Sequence, residues 1–211
     1  MTPYYQDDAV TIYHGDCREV RVGADAVVSD PPYGMRWCVD TTRFSGGSAS
    51  AKAQRGAGRS DRMPVAGDDR QFDPRPWLAF DHVVLWGSNH YAQRLPVGTT
   101  LVWLKRYDGA FGTFLSDAEV AWQKGGHGVY CFRDLSNNAT ARQRVHPTQK
   151  PLALMQWCVS RTSGTVLDPY MGSGTTLRAA KDLGRKAIGI EIDERYCEIA
   201  AQRMQQEVLG L

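Results

Sequence analysis

The sequence predicts an α/β protein. Short apolar runs alternate with helical patterns, and the passage at 166–176 reads strand, glycine turn, helix. Two such runs end on a carboxylate, at Asp30 and at Asp168, where a doubly wound sheet places its ligands. The strand candidates are Val10–Tyr13, Ala26–Ser29, His82–Trp86, Thr100–Leu104, Ala118–Gln123, Val166–Asp168 and Ala187–Glu191. The helix candidates are Pro74–Phe80, Asn89–Arg94, Leu152–Arg161, Thr175–Leu183 and Glu194–Val208. In the last, Tyr196, Ile199, Ala200, Met204 and Val208 recur at helical spacing, and Asp193 can cap it.

Size and composition narrow the classes. The chain has 211 residues, 42% hydrophobic and 23% charged, enough for a single domain with a real core over residues 1–211. No apolar run approaches the roughly 18 residues of a membrane span, and the polar, acidic start is unlike a secretory signal. A cytoplasmic protein with no membrane partner is expected. The five cysteines form no C-x-x-C pair, so reduced thiols are expected and no metal site.

Net charge is only +2, so an anionic partner must meet a local patch. Residues 36–63 supply one. Six basic residues (Arg36, Arg43, Lys52, Arg55, Arg59, Arg62) face two acids there, a net of +4 that leaves the remainder at −2. The stretch is rich in Gly and Ser and has no helical or strand period. It suits a solvated linker, or a flexible loop that follows phosphates, with Arg43, Lys52, Arg55, Arg59 and Arg62 as its nucleic-acid contacts.

Two motifs carry chemistry. Asp30-Pro31-Pro32-Tyr33-Gly34 follows the run Ala26–Ser29. The prolines give a stiff exit with free carbonyls. A carboxylate, a carbonyl and an aromatic ring at one strand tip can hold a flat molecule bearing an amino group, and they also suit a plain Pro-Pro turn with a capping Asp. The second motif is Asp168-Pro169-Tyr170-Met171-Gly172-Ser173-Gly174-Thr175-Thr176. Its glycines let a ligand approach a helix N-terminus, yet no Lys precedes the Thr pair and G-x-G-x-x-G is incomplete. Glu191, 23 residues after Asp168, stands where a ribose diol is gripped, and would equally suit a helix cap.

Together these motifs resemble the S-adenosylmethionine-dependent DNA amino-methyltransferases. Asp30–Tyr33 is similar to their catalytic D-P-P-Y, and Asp168–Thr176 to their cofactor loop, with Tyr170 replacing the usual Phe. His146-Pro147-Thr148-Gln149-Lys150-Pro151 matches their H-P-T-Q-K-P segment throughout. Gly15-Asp16 resembles the acidic motif near the cofactor's adenine, and Trp103-Leu104-Lys105 the later W-D-K strand. The order, catalytic motif first, is that of the circularly permuted β group.

The resemblance implies a mostly parallel seven-stranded class I methyltransferase sheet, Rossmann-like, with the Asp168 strand beside the Ser29 strand. It implies a catalytic half at 1–135 containing the basic loop and a cofactor-binding half at 146–211. It assigns catalysis to Asp30, Pro31, Pro32 and Tyr33. It assigns S-adenosylmethionine to Asp16, His146, Thr148, Lys150, Asp168, Pro169, Tyr170, Gly172, Ser173, Gly174, Thr175 and Glu191, with Lys150 on the methionine carboxylate. The implied substrate is an exocyclic amine of a base flipped from double-stranded DNA, adenine N6 in preference to cytosine N4. An RNA or protein amino-methyltransferase and a non-catalytic partner subunit are the alternatives. Bacterial or phage origin and a homodimer follow from the same likeness. One departure stands out: only Lys124–Val145, 22 residues, is available for target recognition.

Overall fold

The computed structural model describes residues 1–35, 67–113, 116–135 and 149–206. The chain divides into two compact units, residues 1–31 with 73–211, and Pro32–Phe72.

The larger unit is built on one sheet of eight strands: β1 (Tyr5–Gln6), β2 (Val10–His14), β3 (Ala26–Ser29), β4 (His82–Trp86), β5 (Gly98–Leu104), β6 (Ala118–Arg133), β7 (Val166–Asp168) and β8 (Ala187–Glu191). Their order across the sheet is β1-β2-β8-β7-β3-β4-β6-β5. The expected seven strands are therefore eight. Residues Tyr5–Gln6 add an antiparallel edge, Tyr5 opposite Ile12, that is too short to leave an apolar run in the sequence. The neighbours β2/β8, β8/β7, β7/β3 and β3/β4 are parallel. In β3 and β7 every residue is buried, as expected of central strands covered on both faces.

β6 also exceeds its expected span. Its first leg runs antiparallel to β4, with Leu85 opposite Trp122. The chain then turns at Gly125 and Gly126, both at positive φ, and returns along the far side of β5. Thr100 thus lies opposite both Trp122 and Val129, and Leu101 opposite both Ala121 and Tyr130. Half of the stretch expected to serve recognition is sheet edge.

Three α-helices occur among the described residues: α1 (Leu152–Ser160), α2 (Thr175–Asp182) and α3 (Glu194–Gln205). Asp193 caps α3, its side chain accepting from Arg195 N. α2 packs against β7, β8 and both other helices. The core gathers Val28, Trp86, Leu101, Trp103, Leu154, Cys158, Leu177 and Met204. Two expected helices are shorter structures. Residues 89–94 form the 3-10 turns Ser88–His90 and Ala92–Arg94. Pro74–Phe80 is a run of turns in which Trp77 N and Leu78 N both reach Pro74 O. A segment this short gains too few bonds to offset helix nucleation. No helix among the described residues is long and apolar enough to cross a membrane.

In the smaller unit, buried Asp68 ties together residues far apart in sequence. Its Oδ1 accepts from Gly34 N at 2.8 Å and Met35 N at 3.1 Å. Gly34 sits at φ 79° with its α-carbon against the Arg70 backbone, so any side chain there would collide.

Candidate active site

β7 and β3 are neighbours, and from that boundary the chain winds outward to β8 on one side and to β4 on the other. This is the topological switch point, where α/β sheets bind ligands at the strands' carboxyl ends. Asp30 follows β3 there, and the glycine turn follows β7. The two are joined by a buried hydrogen bond in which Ser29 Oγ donates to Asp168 Oδ1 at 2.6 Å.

Asp168 is a clamp for the turn. Besides Ser29 it accepts from Thr176 Oγ1 at 2.5 Å and from Tyr170 N at 3.1 Å, and it is 3% exposed. Burial pushes its carboxyl up to about 6 against the pull of these donors, with nearby Asp30 adding to the rise. Three protein donors thus engage this expected cofactor residue and tie β3, the turn and α2 together. Ser173 and Thr175, also expected at the cofactor, are held from α3. Both are buried, and Arg203 of α3 donates to Ser173 O at 2.6 Å, Ser173 Oγ at 3.2 Å and Thr175 Oγ1 at 3.3 Å. Gly174, at φ 76°, lies where a Cβ would stand 2.9 Å from Ala200 Cβ, so its bareness serves helix packing.

The other expected cofactor residues lie on β8, after β2 and in the turn itself. Gly172 N donates to Glu191 Oε2 at 2.9 Å, and Asp193 N to Glu191 Oε1 at 2.9 Å. Burial raises the Glu191 carboxyl while those N–H groups oppose the rise. Asp16 lies just past the end of β2, the strand paired with β8, where His14 stands opposite Glu191. Its carboxylate binds Arg18, which holds its pKa down. Tyr170 is half-buried, edge-on to Trp77 at 6.0 Å between centroids, and hydrogen-bonds Cys17. Pro169 is buried.

Lys150, expected on the methionine carboxylate, is paired here with two carboxylates of the chain itself. Its ammonium donates to Asp30 Oδ2 at 2.6 Å and pairs with Glu119 Oε2 at 3.1 Å, and the side chain is 7% exposed. Pro31 is buried beside Asp30, while Pro32 and Tyr33 begin the smaller unit. His146, Thr148, Arg43, Lys52, Arg55, Arg59 and Arg62 lie outside the described residues. Ser29, Glu119, Thr176 and Arg203 were not among the expected site residues. Among the described residues no group of three or more His, Cys, Asp or Glu could hold a metal ion.

A switch-point site with a strand-tip carboxylate beside a glycine turn is that of a Rossmann-like group-transfer enzyme. Comparison with known proteins narrows this. A family profile described as DNA methylase, of the N6/N4 group, matches residues 88–202, more than half of the chain. The chain belongs to that family. Type II methyltransferase M.ScaI of Streptomyces caespitosus is 37% identical over 79 residues, 36% of this chain and 26% of that protein. The matched segments span from 19% to 26% of the length of the curated relatives. The fold is shared with the crystal structure of the M1.HpyAVI–SAM complex, at TM-score 0.57 and 22% identity over 92% of this chain and 99% of that one. The cytosine-N4-specific PvuII DNA methyltransferase is similar at TM-score 0.57 and 15% identity, over 99% of this chain and 90% of that one.

Proposed function

We propose that this chain transfers a methyl group from S-adenosylmethionine to the exocyclic amine of a base flipped out of double-stranded DNA, adenine N6 in preference to cytosine N4. One observation carries the reading: the Asp30 carboxylate and the glycine turn sit at the carboxyl ends of adjacent strands, joined through Ser29 and Asp168. Membership of the DNA methylase family supports the reaction class. The preference for adenine rests on Asp, where the cytosine enzymes more often carry Ser.

The donor set suits an adenosine. Glu191, the last residue of β8, and Asp16, just past β2, place carboxylates at the ends of paired strands, acceptors for a ribose diol and an adenine amino group. The methionine end falls to the His146–Pro151 segment, with His146, Thr148 and Lys150 as candidates. When bound, the donor supplies an electrophilic methyl group. Asp30 and the Pro31 carbonyl accept the two amine hydrogens, which aims the nitrogen lone pair and later lets Asp30 or water take the proton. Tyr33 stacks on the flipped base. The basic segment 36–63 follows the phosphates, and a second copy of the chain completes recognition that residues 124–145 are too few to supply alone.

Labelled donor incubated with duplex DNA, RNA and peptide tests the class, and nucleoside digestion names the base. Asp30→Ala is expected to lose about 10³-fold or more in kcat while donor affinity stays within about threefold. Wild-type turnover by Asp30→Ala, or label on peptide alone, refutes the reading.

A further inference from the structure

Four elements at the carboxyl end of the sheet contribute a file of alternating charges. Lys105 follows β5, Glu119 lies in β6, Lys150 precedes α1 and Asp30 follows β3. Lys105 Nζ donates to Glu119 Oε1 at 2.9 Å. The other oxygen, Oε2, meets Lys150 Nζ at 3.1 Å, and Lys150 Nζ donates to Asp30 Oδ2 at 2.6 Å. The Lys150 ammonium also stands 5.7 Å from the centroid of the buried Trp86 ring.

A buried ammonium against an aromatic wall is costly unless its charge is matched and its protons are placed. Glu119 and Asp30 match it from two sides. Glu119 has one oxygen for each lysine, so Lys105 fixes which oxygen faces Lys150. Lys150 in turn holds Asp30 Oδ2, which limits rotation of the Asp30 carboxylate plane. That plane decides whether a base amine meets an acceptor in line. Burial alone would raise the Glu119 carboxyl, but the Lys150 and Lys105 ammoniums hold it down at about 2, so it stays charged at neutral pH.

We propose that Glu119 is a positioning residue for methyl transfer: acting through Lys150, it holds the Asp30 carboxylate in the orientation that receives the base amine. This rests on the methyl-transfer reading above. It assigns Lys150 to the acceptor side of the reaction, and it gives work to an acid outside every motif.

The test uses the full chain, with thermal melting, donor binding by calorimetry, and single-turnover methylation of duplex DNA. Glu119→Gln keeps the shape and removes the charge. Its kcat is expected to fall about 30-fold, within the range a small misplacement costs, while donor Kd stays within about twofold. Because Glu119 acts through Lys150, the double variant with Lys150→Gln is expected to be no slower than Lys150→Gln alone. A purely structural role would lower the melting temperature and leave kcat in place, or give penalties that multiply; either result overturns the proposal. Should Glu119→Gln fail to fold, Lys105→Met serves: a roughly threefold to tenfold loss of kcat at unchanged donor Kd supports the file, and wild-type kcat overturns it. A wild-type protein that binds donor yet methylates no DNA removes the underlying reading, a failure distinct from an active wild type with an equally active Glu119→Gln.

Discussion

Gly174 offers a test of how the glycine turn is held, because a second glycine supplies the control. Gly174 and Gly184 flank α2, at φ 76° and 66°. Either glycine replaced by alanine must hold a Cβ in the left-handed region, at a cost of roughly 1–2 kcal/mol. At Gly184 nothing stands within 4 Å of the new methyl group, so that strain is the whole cost. At Gly174 the methyl group would stand 2.9 Å from Ala200 Cβ, 3.4 Å from Ala200 Cα and 3.7 Å from Met204 Cε. Overpacking of that kind adds roughly 1–3 kcal/mol. At about 2–4 °C per kcal/mol for a chain of this size, Gly184→Ala is expected to lower the melting point by about 2–8 °C. By the same conversion, Gly174→Ala, at roughly 2–5 kcal/mol, is expected to lower it by about 4–20 °C. The α3 helix can relieve the overlap only by moving, and Arg203, which it carries, holds Ser173. Donor affinity should therefore fall with Gly174→Ala and not with Gly184→Ala. Thermal melts and calorimetry on the two variants decide it. Equal losses of stability would show that α3 yields freely and that Gly174 is needed only for its backbone angle.

Asp168→Asn can keep its contacts, with Oδ1 accepting from Ser29 and Tyr170 and the amide donating to Thr176 after its hydroxyl turns. The native carboxyl, pushed by burial from its ordinary 3.8 up to about 6, holds its proton more tightly than in the unfolded chain, so it costs stability as pH rises from about 4 to 6. Denaturant melts across that range should show Asp168→Asn gaining up to about 3 kcal/mol on wild type by pH 7, and parallel profiles for the two proteins would refute the assignment. Arg203→Met strips the buried Ser173 carbonyl of its donor and is expected to cost about 1–3 kcal/mol. Its donor Kd should weaken severalfold in calorimetry, and an unchanged Kd would show that the turn needs no support from α3.

Much of the fold was readable because its period is strong where burial is complete. Ala26–Ser29 and Val166–Asp168 are apolar on both faces, and their limits match the structure residue for residue. The missing pieces lacked that signal. β1 is two residues long, and the two legs of β6 are joined through Lys124, Gly125, Gly126 and His127, which read as loop until β5 pairs with both legs. The site divides in the same manner. Asp30, Gly172 and Glu191 announced themselves through motifs, but their partners did not. Ser29, ending a buried run, and Arg203, on a polar helix, carry no pattern of their own. Glu119 left a faint one: an acid within Ala118–Gln123, beside Val120, Ala121 and Trp122, is a charge the fold must match.

Lys150 shows why residue identity and role come apart. An intact six-residue motif says that a lysine is needed there, and a carboxylate is the natural counterpart of a lysine. The sequence contains no means of choosing among carboxylates. Asp30 is 120 residues away and Glu119 is 31 away, and only the sheet order, which sets β3, β4 and β6 side by side, brings both to one ammonium. Once they are there, electrostatics decides. A cation with two carboxylate neighbours in a 7% exposed setting gains little from a third anion, and leaving would strand Asp30 and Glu119 together without it. Any third anion must therefore compete with Asp30 and Glu119 for this ammonium.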